Sequence, residues 1–161
     1  MPVPMGGDDL PIIPDEAPVW APELATVADH VPYMTVDTVT PGVQEYLGTF
    51  NHRTTPTGEQ AQRLIDGAWP SVLAATGAIV EQVWPLARSV AALRAAAAIV
   101  RAYPRDDGDL ARAAALDAAA DADLRRLIAA NDAAGGGDGN SVDLLPVYAF
   151  PPPVPWGDNL L

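Results

Sequence analysis

The chain contains no cysteine and no lysine, and only two histidines among its 161 residues. Without cysteine there is no disulfide framework and no thiolate nucleophile or ligand. Without lysine there is no Schiff-base amine and no phosphate-loop lysine, so Gly6-Gly7-Asp8-Asp9 and Gly135-Gly136-Gly137 lack the residues that turn a glycine loop into a nucleotide cradle. His30 and His52 stand alone, with no second histidine or cysteine at metal-ligand spacing. Ser71, Ser89 and Ser141 sit in no nucleophile-elbow context. Asp106-Asp107-Gly108-Asp109 lacks the distal ligands of a calcium loop and reads as acids gathered at a helix start. The inventory predicts a non-enzyme with no cofactor and no metal.

Long apolar runs are also missing. The longest, Ala91–Val100, is broken by Arg94 and is too short to span a bilayer. The opening MPVPMGGDD has no basic stretch followed by an apolar one. The expectation is a soluble protein with no membrane partner.

Charge is uneven along the chain. The formal net charge is -12, and all nine arginines lie within residues 42–131. Residues 1–41 hold seven acids and no base, and residues 132–161 hold four acids and no base. Nucleic-acid affinity comes from cations that displace phosphate counterions, so this balance argues against DNA or RNA as a bound ligand.

Proline divides the chain into three parts. Eight of 17 prolines fall in residues 1–41 and five in 146–155. That spacing blocks helix and central strand and favours extended backbone. The division is an acidic Pro-rich arm over 1–41, a helical domain over 42–134, and a glycine hinge with a Pro-rich arm over 135–161.

The middle part has helical periodicity. A short helix is expected after Thr40-Pro41, with Val43, Tyr46 and Leu47 on one face. A second is expected from Thr57, with Gln60 as its capping-box partner and Ala61, Leu64, Ile65, Ala68, Trp69, Val72 and Leu73 as its apolar face. Pro70 should kink or end a segment of it, and Thr76-Gly77 should close it. A third is expected over about Ala78–Tyr103, interrupted near its start by Pro85 so that its strong part begins near Trp84, and ended by Tyr103-Pro104. A fourth is expected from Asp106 or Asp107 until Asn131 and Gly135 stop it. Asp117, Asp121 and Arg125 form a solvated charge stripe at four-residue spacing. The fold class is mainly α: a small bundle of three to four helices with long extended Pro-rich N- and C-terminal arms.

Disordered linkers are poor in large apolar groups, and these arms are rich in them. Candidate partner-binding residues are Trp20 and Tyr33 in the first arm. In the second they are Leu144, Leu145, Tyr148, Phe150, Trp156, Leu160 and Leu161. Exposed groups of this size usually mark interaction surfaces, and a proline-stiffened backbone loses little entropy on docking. The other reading is that an arm packs back on its own helices.

The stretch EYLGTFNHRTTPTGEQAQRLIDGAWPSVLAATG, ending at Gly77, resembles the start of head-to-tail connector (adaptor) proteins of long-tailed bacteriophages. In that family a short helix and loop precede an amphipathic helix ending in Thr-Gly, followed by two helices and an extended tail. The resemblance covers the layout of about residues 40–161. It implies a structural virion protein of the neck, present in the host cytoplasm during assembly. It also implies a homo-oligomeric ring of about a dozen copies between the portal protein and the stopper or tail-completion protein. DNA would pass through the ring's channel without specific binding, past a wall whose acids repel phosphate. The tail of Val142–Leu161 would lie against the portal. The alternative is a monomeric or dimeric helical adaptor whose Pro-rich tail is a ligand for another domain.

Overall fold

A computed structural model describes residues 16–135. The candidate residues from Leu144 to Leu161 lie outside the described residues. Within them four α-helices follow one another: α1 Leu24–Ala28, α2 Gly58–Thr76, α3 Trp84–Ala102 and α4 Asp109–Ala133. Short 3-10 turns occupy Pro32–Thr35 and Glu81–Val83. The chain is mainly α, and its body is a small helical bundle.

Local chemistry accounts for the helix ends. The Thr57 hydroxyl accepts from Gln60 N, and the Gln60 side chain accepts from Thr57 N at 2.9 Å, completing the expected capping box. Such a cap stabilises a helix by about 1 kcal/mol. At the other end Gly77 takes φ +67, a left-handed conformation that a side chain would strain. α3 begins on Trp84 with Pro85 in its first turn, where the missing N–H has no helical partner to lose.

α3 is the axis of the body. It packs against both α2 and α4, and its fully buried residues include Ala87, Ala91, Ala92, Ala95, Ala96 and Ala97. Alanine buries little area per residue but lets backbones approach closely. Larger groups fill the remainder of the core: Met34, Ile65, Ile99 and Val100 in one cluster, and Trp20, Trp69, Val72 and Leu127 in another. α4 buries a narrower stripe, Asp109, Ala113, Ala120, Leu127 and Asn131, and leaves most of its other residues exposed.

Three expectations are corrected, and at Pro70 one of two alternatives is excluded. No helix follows Pro41. Asp37 Oδ1 instead accepts from Val39 N and Thr40 N, and Gly42 turns the chain at φ +78. An isolated antiparallel bridge joins Val36 to Tyr46, and the Tyr46 side chain is exposed. Pro70 does not end α2, which runs unbroken through it. α4 starts at Asp109 and continues past Asn131 to Ala133. Asn131 is therefore not a stop signal. It is fully buried, donating to Ala78 O at 2.9 Å and accepting from Val80 N at 3.0 Å. One amide side chain thus satisfies an acceptor and a donor of the α2–α3 connection.

The described part of the first arm is not free. Residues 16–41 lie along the helices, with α1 contacting α2 and α3. Trp20 is only 4% exposed and packs among Trp69, Val72, Val90 and Leu127.

Candidate partner-binding surface

The N-terminal segment shows how this body holds a proline-rich chain. Prolines have carbonyls but no N–H, and extended backbone has no internal hydrogen bonds. Short turns within the segment pair some of its backbone groups, and arginines of the helical body meet other carbonyls. Arg88 donates to Val19 O at 3.1 Å. Arg105 donates to Tyr33 O at 2.6 Å, Met34 O at 3.1 Å and Thr55 O at 3.0 Å. A guanidinium presents several donors in a fixed plane, which suits it to several carbonyls at once.

Tyr33 adds a polar anchor. Its hydroxyl donates to Asp109 Oδ1 at 3.0 Å, and the Arg112 guanidinium lies 5.2 Å from its ring centroid. Burial pushes the Tyr33 hydroxyl up from its ordinary value, helped by the Asp109 carboxylate. Asp109 has no exposed side-chain surface, and it also accepts from Arg105 N at 2.6 Å and pairs with Arg112 at 2.6 Å. Burial alone would raise its pKa. The Arg105 N–H, the Arg112 guanidinium and the Tyr33 hydroxyl outweigh that and hold it at about 2. Asp106, expected at the helix start, accepts from Gly108 N at 2.7 Å and pairs with Arg112. The acidic cluster is thus a joint between the N-terminal segment and the start of α4.

The structure places the two N-terminal candidates against the chain's own helices. Trp20 and Tyr33 serve the body's own packing, because apolar burial and arginine donors on this chain complete them. They do not meet each other: Trp20 belongs to the Trp69 cluster, and Tyr33 packs against the other.

On α3, Arg94, Ala98 and Arg101 form a stripe on the face opposite to Ala92, Ala96 and Ile99, which face the N-terminal segment's cluster. The stripe floors an open groove of about 510 Å³, walled by Arg63, Leu64, Gly67 and Ala68 of α2 and by Asp117 and Asp121 of α4. Arg101 pairs with Asp117, and Arg94 reaches Asp121 at 3.5 Å and Ser71 Oγ at 2.7 Å. Asp117 and Asp121 are thus half of an interhelical charge seam, where a purely solvated stripe was expected. Arg63 is exposed and pairs with no acid among the described residues. The sequence carried one signal for this groove: arginines at 94 and 101, seven residues apart on one helix face.

Two smaller hollows hold the histidines. His30 lines one of about 300 Å³ with Tyr33, Arg112 and Leu116, and His52 lines one of about 430 Å³ beside the start of α2. Among the described residues no three His, Asp or Glu side chains are grouped to hold a metal.

No protein-family model, characterised relative or solved structure matches this chain.

Proposed function

We propose that this chain is a structural, non-enzymatic assembly protein: a head-to-tail adaptor that forms a homo-oligomeric ring of about a dozen copies between a phage portal and the stopper or tail. The observation that carries this reading is the chain beyond α4. Leu144, Leu145, Tyr148, Phe150 and Trp156 follow α4, which ends at Ala133, and are interleaved in sequence with five prolines. In this reading they dock on the portal as pocket anchors, with Leu160 and Leu161 beside them. The resemblance of the stretch ending at Gly77 and the three long helices that include and follow it support the assignment. So does the excess of acid: a lysine-free channel wall lets DNA slide past without sticking.

The test is incorporation into particles assembled with the portal protein of the same genome. A chain cut after Gly135 should keep its helical circular dichroism and fail to enter the neck. In the full-length chain, joint serine substitution of Tyr148, Phe150 and Trp156 should have the same effect. Normal incorporation of the serine variant would overturn the reading.

A further inference from the structure

The two arms have the same chemistry: proline-rich, acidic, without a base, and carrying large apolar side chains. The structure reveals what becomes of the described part of the first one. Residues 16–41 lie on one face of the α2–α3–α4 body, with Trp20 buried, Tyr33 partly buried and carbonyls held by Arg88 and Arg105. The opposite face carries the groove on Arg94, Ala98 and Arg101. That groove has the same ingredients: apolar lining from Leu64, Ala68 and Ala98, and guanidinium donors from Arg63, Arg94 and Arg101.

We propose that residues 142–161 of the same chain dock in this groove in the free protein, so that the body is clasped by one proline-rich arm on each face. The geometry permits it. Asp121 lies 12 residues before Ala133 on α4, about 18 Å back along a helix. Tyr148 lies 13 residues beyond Gly135, a span of up to about 43 Å when extended. Gly135 already takes φ +84, and four of the five residues 135–139 are glycine, which suits a reversal of direction. The charges are complementary: the groove has one arginine, Arg63, beyond those paired with its two aspartates, and residues 142–161 hold Asp143 and Asp158 with no base. The carbonyls around Pro146–Pro155 would take up Arg63 and Arg94 donors as Val19 and Tyr33 take up those of Arg88 and Arg105. Docking would also cover Tyr148, Phe150 and Trp156 until a partner competes for them. This concerns the free chain and stands whether or not the portal is that partner.

The absence of cysteine makes the test clean. The full-length chain with Ala149→Cys carries one nitroxide label, and paramagnetic broadening of backbone amides is read in dilute solution. The expected result is broadening confined to Gly67, Ala98 and Arg101, with Val27 and Met34 unaffected. Adding Arg63→Glu should cut it at least twofold. Uniform or absent broadening overturns the proposal. So does groove broadening seen only when labelled chains are mixed with isotope-enriched unlabelled ones, because the occupant is then a second copy. Particle incorporation is measured separately, so failure here leaves the adaptor reading standing, and the reverse.

Discussion

The Trp20 and Trp69 rings meet edge to face, with centroids 6.5 Å apart and planes at 86°. Both are almost fully buried, at 4% and 5% exposure. The contact joins the Pro-rich segment to α2 across 48 residues of chain, in a geometry that aromatic quadrupoles favour.

Trp20→Ala should therefore destabilise the isolated full-length chain by about 3–5 kcal/mol, the usual range for emptying a buried Trp site. Urea unfolding followed by circular dichroism reads it. A tryptophan reserved for a partner would leave the midpoint unchanged, so the measurement separates self-packing from docking.

Asn131 carries a second prediction. Its carboxamide satisfies Val80 N and Ala78 O from inside α4. Asn131→Ala leaves both without partners and should cost about 1–3 kcal/mol. Asn131→Asp keeps the shape but turns a donor into an acceptor facing Ala78 O, and should cost no less. A thermal melt of each variant at neutral pH decides between these rankings.

Acid should loosen the joint at Asp109. Its folded pKa of about 2 lies below the model-compound value of 3.8. A carboxylate depressed in the folded state stabilises above its unfolded pKa, and that contribution is lost as pH falls from about 4 towards 2. Asp37 is held down as well, by the Thr40 hydroxyl first, and its loss continues to lower pH. Urea midpoints at pH 6 and pH 3 should differ less in Asp109→Asn than in the unaltered chain. An unchanged difference would remove Asp109 from the acid response.

The helices were legible because their signals are local. The Thr57–Gln60 box, Trp84-Pro85 and Tyr103-Pro104 each act within a turn of chain. What escaped was decided at long range. Nothing near Tyr33 in sequence announces Asp109, 76 residues away, and nothing near Asn131 announces the connection it clamps. Pro-rich composition pointed to extended backbone over residues 1–41, yet α1 and the Pro32–Thr35 turn form inside that stretch, between prolines rather than through them. It could not say whether the carbonyls it left open would be met by another chain or by Arg88 and Arg105 on this one. The short helix expected after Pro41 failed on one residue: Gly42, at positive φ, turns the chain where a helix needs its second residue.

Pro70 offers the last prediction. It sits inside α2, where its ring removes the N–H that would donate to Asp66 O and crowds that carbonyl. Proline in a helix interior is less favourable than alanine by about 3 kcal/mol. Its neighbours Trp69 and Val72 are buried core residues, and those contacts override the local penalty. Pro70 itself is only partly buried and belongs to neither core cluster. Pro70→Ala should restore the missing hydrogen bond without emptying a core site, stabilising the chain by about 1–3 kcal/mol in urea unfolding. Loss of stability would mean that the proline ring, or a bend it imposes on α2, is required for the Ser71–Arg94 contact at the groove wall.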